Sequence, residues 1–366
     1  MGPGTVPMAA PPDRGDAARP LLTVVLITRN QAWNVDRLVE SVLMETGGIS
    51  SAEIVLVDSD SSDDTIQVAK RHPIAILRLQ STRFRTAAAG RSIGYSQTTG
   101  RLVLFLDGDM ELCRDWLRTA LDVMQDSPAV AGVTGVVVDL PKAATVHDKP
   151  LLTGIGTNPP RDIRAAGGAA LYRRSVLERV GTFNPFLYSE EEPELCLRIR
   201  QAGYRVVQLD SPIAFHYTDR SGALSTLAPR WRRNLYLGSG QILRLHFGSS
   251  VFWPYIKERG YFVAPMVAVA TGAAGLAGSL LSHTWAGLGL WTLLVASVVG
   301  TVSYRRQLRP YQMAYSIANR VFVLIGTVRG LFLPRPDPGG HPGTVEVIRS
   351  LSSVRSGATA MGSERS

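Results

Sequence analysis

The sequence predicts an α/β protein: a mostly parallel, Rossmann-like sheet with flanking helices, followed by a C-terminal transmembrane helical hairpin. Three observations carry this expectation. Apolar, β-branched runs alternate with helical patterns from residue 21 onward, the signature of a parallel sheet covered on both faces. Polar clusters fall where those runs end, and in parallel sheets ligands bind at the carboxyl ends of strands. Residues 261–304 contain no Asp, Glu, Lys or Arg.

The elements follow in order. "LLTVVLI" (21–27) reads as the first strand. "NVDRLVESVLM" (34–44) places Val35, Leu38, Val39, Val42 and Leu43 at helical spacing. "EIVLVD" (53–58) is the second strand, "DDTIQVAKR" (63–71) a short helix and "IAILRL" (74–79) the third strand. "RTAAAGRSIGYSQTT" (85–99) is a helix weakened by Gly90 and Gly94. "RLVLFLD" is the fourth strand, and "ELCRDWLRTALDVM" (111–124) the next helix. Three polar clusters close these strands: Thr28-Arg29-Asn30, "VDSDSSDDT" at 57–65, and Asp107-Gly108-Asp109.

The apolar stretch of 44 residues is too long for one membrane span, which needs roughly 20, and right for two divided by "SHT" at 282–284. Lys257 and Arg259 flank one end, and Arg305, Arg306 and Arg309 the other, so both flanks are expected on the cytoplasmic side. The expected organisation is a disordered tail over 1–20, an α/β domain over 21–225, an amphipathic and basic linker over 226–260, two transmembrane helices over 261–304, a membrane-interfacial helical region over 305–333 and a flexible tail over 334–366. The net charge of +9 suits phosphates or an anionic membrane surface. Two cysteines, Cys113 and Cys196, give neither a disulfide framework nor metal-ligand spacing. There is no G-x-G-x-x-G after the first strand and no G-x-x-x-x-G-K-[ST], which argues against dinucleotide-binding and P-loop chemistry.

Asp107 and Asp109 repel unless a cation sits nearby. Mg²⁺ or Mn²⁺ prefers one or two carboxylates plus phosphate oxygens, so this pair reads as a metal site at the end of a buried strand. The alternative is that Asp107 caps the helix at 111–124 while Asp109 is solvated. Similar alternatives stand elsewhere. Arg91 pairs with a phosphate or is a surface cation. His216 is a further ligand, an acceptor contact or a structural residue. Gly167 and Gly168 admit a ligand or make a tight turn. In "SEEEPEL", Ser189 and Glu192 match a capping box. Trp116, Trp231 and Trp253 stack on a ligand or pack.

These motifs, in this order, resemble the family 2 glycosyltransferases of the GT-A fold. "VVLITRN", "VDSDSSDDT", "AAAGRSIGYSQTTGRLVLFLDGDM" and "GGAALYRRSVLERVGTFNPFLYSEEEPELCLRIRQAGYRVV" carry the resemblance over roughly residues 21–220. It departs from the family pattern at Asp60 and Asp64, where glycine is usual, at Ser92 in place of Asn, and at Glu192 in place of Asp. The resemblance implies a donor pocket of Thr28, Arg29, Asn30, Asp58, Arg91 and Asp107, with Asp58 on the base or ribose. It implies metal ligation by Asp109, Asp107 and His216, acceptor contact at Gly167 and Gly168, and Glu192 as general base beside Glu191. It further implies a nucleoside diphosphate sugar donor, uridine being the expected base, Mn²⁺ or Mg²⁺ as cofactor, and transfer with inversion. The hairpin and basic linker point to a lipid-linked or membrane-associated glycan acceptor, no nucleic acid, and a place on the cytoplasmic face of the cell membrane. Two rivals remain: a polyprenyl-phosphate glycosyltransferase, and a non-catalytic membrane adaptor that keeps the fold. "QILRL" (241–245) lacks the Trp of the Q-x-x-R-W motif of processive synthases.

Overall fold

The computed structural model describes residues 19–49, 51–81, 83–150, 158–218, 224–334 and 342–354. The expected tails at 1–18, 335–341 and 355–366 lie outside that description. By its contacts the chain divides into two units, one of residues 1–219 with 335–366 and one of residues 220–334.

The first unit opens with β1 (Leu22–Thr28), α1 (Val35–Thr46), β2 (Ala52–Asp58), α2 (Thr65–Ala69), β3 (Ala75–Gln80), α3 (Ala87–Ser96) and β4 (Leu102–Asp107). β1 is buried along its whole length because β2 and β4 flank it in parallel and helices cover both faces, the reason such strands read as unbroken apolar runs. The register matters for function. Thr28 pairs with Asp58 and Ile27 with Asp107, so the three polar clusters of the sequence meet at one edge.

Gly90 and Gly94 let α3 lie directly on β1. A Cβ at Gly94 would stand 2.3 Å from Val25 Cγ1, and one at Gly90 3.1 Å from Ile27 Cγ2. The helix therefore gains close packing from the residues expected to weaken it. Thr86 caps it, its hydroxyl accepting from the Ala89 amide at 3.2 Å.

The chain continues through β5 (Met110–Leu112), α4 (Trp116–Asp126), β6 (Val130–Leu140), β7 (Arg161–Asp162), β8 (Ala170–Arg173), α5 (Arg174–Val180), α6 (Glu191–Gln201) and β9 (Arg205–Tyr217). Residues 110–112 are not the first turn of a helix, as the sequence suggested. They pair antiparallel with β9, Met110 opposite His216, and α4 starts only after Asp115, whose φ of 62° marks the cap. Asp107 therefore does not cap it. With a last strand, β10 (Thr344–Arg349), the sheet order is β10-β3-β2-β1-β4-β8-β6-β9-β5, with β7 alongside β9. β3, β2, β1 and β4 are parallel, whereas β8 turns antiparallel to β4 and the sheet beyond it is mixed. The core lies between this sheet and its helices, built from residues such as Leu26, Leu38, Leu56, Leu104, Trp116 and Leu171. Trp116 is thus a packing residue.

The edge strand β10 (Thr344–Arg349) corrects the expectation of a flexible tail over 334–366. "TVEVIR" pairs antiparallel with β3, and Arg349 donates to the carbonyls of Lys70 (2.6 Å), His72 and Ile74.

In the second unit, the linker region forms α7 (Leu227–Arg232), α8 (Gly238–Leu245) and α9 (Phe252–Arg259). α10 (Val263–Ser282) and α11 (Ala286–Arg305) are both long and apolar enough to cross a membrane. Their apolar side chains are left outside the fold: Leu281, Leu290 and Leu293 are each at least 70% exposed. Trp291 closes the hairpin, its indole donating to Thr271 Oγ1 at 3.1 Å. α12 (Pro310–Phe332) carries Arg320 and Arg329 and packs on α7 and α8. Phe322 stacks on Tyr236, Trp231 meets both rings, and the Arg329 guanidinium lies 4.8 Å over Trp231.

Candidate active site

Three loops at the carboxyl ends of β1, β2 and β4 are stitched together before any ligand arrives. Asn30 takes a left-handed conformation with φ 54°. Its amide donates to Ser61 Oγ, and its side-chain oxygen accepts from the Ser62 amide, both at 2.8 Å. The Gln31 amide donates to Thr65 Oγ1 and the Ala32 amide to Asp63. Asn34, which the sequence did not single out, ties the first loop to the third by donating to the carbonyls of Gly108 (3.0 Å) and Met110 (2.9 Å). Gly108 has no room for a side chain: a Cβ would meet Gln31, Ile27 and Thr28 at about 3 Å.

Asp58 is fully buried. It accepts from the Ser61 amide (2.8 Å), the Ser61 hydroxyl and Thr28 Oγ1 (3.4 Å). Burial raises its pKa against the pull of these bonds. Thr28 and Asp58 are therefore buried and bonded to each other, Asp58 also to Ser61, while Arg29 and Asn30 lie at the surface. Asp60 adopts the left-handed φ of 59° expected where the resemblance has glycine, and pairs with Arg78 (2.8 Å) and Arg85 (2.6 Å). Asp64 keeps a negative φ as the cap of α2.

The centre of the site is Arg91, and here the sequence expectation changes. Its guanidinium is 1% exposed, not a surface group reaching for phosphate. It holds Asp107 at 2.7 Å, Glu191 at 2.8 Å and Glu192 at 2.9 Å. One cation on α3 thus joins the end of β4 to the start of α6, with Glu191 lying 100 residues along the chain from Arg91. Burial would lower the Arg91 pKa, but Glu192, Asp107 and Glu191 more than offset it. Burial pushes Glu191 up to about 8, with Glu192 adding to it, and Asp107 up to about 6 despite Arg91. α6 begins at Glu191 with Glu190 as a left-handed cap, so Ser189 stands one residue before the cap position. Glu194 and Arg198 make the predicted i,i+4 pair at 2.7 Å. Arg198 also donates to the carbonyls of Val180, Gly181 and Thr182, which ties α6 to the end of α5.

Gly167 and Gly168 separate in role. A Cβ at Gly167 meets nothing, whereas one at Gly168 would lie 2.1 Å from Asp107 Oδ2. Gly168 gives the Asp107 carboxylate its place. Gly168→Ala is expected to push Asp107 off Arg91 and lower the rate of whatever reaction the site carries by about 10²-fold, the scale of a 1 Å misplacement. A melting temperature within a few degrees of wild type would show that the defect is local. Wild-type rates would remove the role.

Asp107 and Asp109 point to different partners. Asp109 Oδ2 lies 3.5 Å from His216 Nε2, and His216 Nδ1 lies 2.8 Å from Asp139 Oδ1. The register of β9 between β5 and β6 makes this arrangement, since His216 sits opposite both Met110 and Asp139. Asp109, opposed by partial burial and helped by Asp139, pushes the His216 pKa up to about 9. Neighbouring ligands about 2.1 Å from one octahedral ion stand about 3.0 Å apart, so Asp109 and His216, 3.5 Å apart, would close by about half an ångström to share a divalent ion. Among the described residues no three His, Cys, Asp or Glu side chains form a group that could hold a metal ion. Asp107, expected as a ligand, is held by Arg91. Asp139 escaped the sequence reading because only the β6–β9 register, not spacing along the chain, brings it to His216.

Residues 23–181 match the model of glycosyl transferase family 2. Glycosyltransferase AglE of Haloferax volcanii is 24% identical over 229 residues, which are 61% of this chain and 73% of that protein. The pre-mycofactocin glycosyltransferase of Mycobacterium tuberculosis is 28% identical over 283 residues, covering 71% of this chain and 55% of that protein. Polypeptide N-acetylgalactosaminyltransferase 6 of Homo sapiens is 25% identical over 254 residues, but the match spans only 40% of its length. Among solved structures, the mannosyltransferase PcManGT from Pyrobaculum calidifontis, in complex with GDP-Man and Mn²⁺, superposes with a TM-score of 0.53 at 22% identity, over 89% of this chain and 90% of that one. That likeness is one of fold.

Proposed function

We propose, from the match of residues 23–181 to the model of glycosyl transferase family 2, that the chain moves a sugar from a nucleoside diphosphate sugar to a hydroxyl of a membrane-associated or lipid-linked glycan acceptor, with inversion at the anomeric carbon. The observation that supports this best is the Arg91 hub, which sets Glu192 against the end of the strand that bears Asp107 and leads into Asp109.

In this reading the acceptor oxygen bonds to the anomeric carbon as the bond to the leaving phosphate breaks. The hydroxyl proton passes to Glu192, which is more accessible than Glu191 and is oriented by Arg91. Asp109 and His216 would hold Mn²⁺ or Mg²⁺, with Asp139 fixing the imidazole through Nδ1. When bound, the ion supplies positive charge for the leaving diphosphate. Asp58, Thr28 and Asn30 keep the base pocket in shape, and Arg29 stands at its rim. The two apolar helices and their basic flanks support a place on the cytoplasmic face of a membrane.

The test is a thermal-shift panel of UDP, GDP and other nucleoside diphosphates on the full chain in detergent, with Mn²⁺, Mg²⁺ or EDTA. One nucleotide with metal is expected to stabilise by about 2.7 kcal/mol at 100 times its Kd. Asp109→Asn is expected to abolish the metal-dependent part. If every nucleotide shifts the melt equally in EDTA and in Asp109→Asn, the metal and donor assignments both fail.

A further inference from the structure

The second unit carries an exposed aromatic corner that the catalytic reading leaves unused. Phe247, just after α8, is 79% exposed, and Trp253, in the first turn of α9, is 71% exposed. Phe252 joins them, its ring 5.6 Å from Phe247 and 5.2 Å from Trp253. Isolated apolar side chains at a surface are ordinary, but a contiguous cluster of large ones marks an interaction surface.

Its neighbours in the chain indicate what covers it. α9 ends at Arg259 and α10, the first of the two membrane-length helices, begins at Val263. The intervening chain can span at most about 14 Å, so the corner is tied to the base of the hairpin. Tyr261 in that link is 54% exposed, and Arg259 donates to its hydroxyl at 2.8 Å. The far end of the hairpin returns to the same base with Tyr304, 85% exposed, followed by Arg305 and Arg306. The opposite end, at the turn, has His283 and Trp285 but no Lys or Arg. One end of the hairpin is therefore both aromatic and basic, which is the composition of a membrane-water boundary facing anionic lipid.

We propose that the α8–α9 corner lies in the headgroup layer of an anionic phospholipid leaflet, Phe247, Phe252 and Trp253 entering the acyl boundary while Lys257 and Arg259 contact lipid phosphates. It rests on the reading of α10 and α11 as membrane spans. A residue lying in this layer is buried only about 5–10 Å deep, which separates it from the hairpin.

The full chain, reconstituted in nanodiscs, tests this through tryptophan quenching by lipids brominated either near the headgroup end or near the methyl end of the acyl chain. Trp253→Phe, Trp285→Phe and Trp291→Phe assign the quenching to each indole. Trp253 is expected to lose about half of its emission or more with shallow bromine and little with deep bromine, at the depth of an interfacial helix. This loss should be larger in phosphatidylglycerol mixtures than in phosphatidylcholine alone, and Lys257→Gln with Arg259→Gln should remove that difference. If Trp291 is quenched and Trp253 is not, the corner lies off the membrane and the inference is wrong while the spans stand. If neither is quenched, the spans fall and the inference with them. Equal quenching of Trp253 in both lipid mixtures overturns the anionic leaflet.

Discussion

Glu192→Gln is expected to reduce sugar transfer by about 10²–10⁴-fold, the usual contribution of a positioned general base, while nucleotide affinity stays within a few-fold of wild type. The two halves of this expectation come from the same geometry. Glu192 Oε1 meets Arg91 Nη1 at 2.9 Å, and a glutamine can still offer a carbonyl oxygen to that donor. The hub and the α6 start are thereby preserved, but the amide cannot take the acceptor proton. The experiment compares initial rates under saturating donor with nucleotide affinity measured by titration. Glu191→Gln is the contrast. Glu191 is the more deeply buried of the two and is pushed up to about 8 by burial and its neighbour, so it already tends to keep a proton near neutral pH and its neutral substitute should be tolerated better. Near-normal rates in Glu192→Gln would point to an acceptor that arrives ionised, such as a polyprenyl phosphate, and would retire the hydroxyl-acceptor reading.

Much of the parallel half of the sheet was legible because its signals are local. A run such as "LTVVLI" is buried on both faces wherever it sits, and a strand that ends in Asp or Thr announces its carboxyl end. The register of β1 with β2 and β4 then had only to bring Thr28, Asp58 and Asp107 together. What was missed depends on pairing at long range. "MEL" at 110–112 has no period of its own and becomes β5 only because β9 offers it a partner. "TVEVIR" at 344–349 does alternate, but it sits amid Pro, Gly and Ser and joins the sheet more than 260 residues away from β3. Arg91 is the clearest case. Nothing in "AAAGRSIGYS" says that its arginine is buried, because the three carboxylates that neutralise it come from β4 and α6. Gly168, in turn, was singled out as an acceptor contact, but its tight contact is with Asp107, which only the fold reveals.

Arg91→Met should be the most destabilising single change in the catalytic unit. Methionine fills much of the volume but leaves Asp107, Glu191 and Glu192 facing one another without a cation. Breaking a buried ionic cluster by removing one partner costs about 3–5 kcal/mol, and in a domain of this size each kcal/mol lowers the melting temperature by about 2–4 °C. The expected loss is therefore about 6–20 °C. Its pH dependence distinguishes charge from packing. A carboxyl group whose folded pKa lies above its unfolded value holds a proton in the native state that the unfolded chain has released, so stability falls as pH rises through that window. Glu191 already behaves this way, with its pKa pushed up to about 8, and Asp107 does so up to about 6. Without Arg91 both windows widen upward, and the destabilisation should be larger at pH 8 than at pH 5.5. Arg91→Lys should fall in between, because a single ammonium keeps the charge but lacks the planar fork that reaches three carboxylates at once. Thermal melts of the three proteins at both pH values decide the matter. A methionine variant that melts with wild type, or whose deficit is the same at both pH values, would mean that Arg91 acts by packing against Phe183, 5.2 Å from its guanidinium, and that the carboxylates do not depend on its charge.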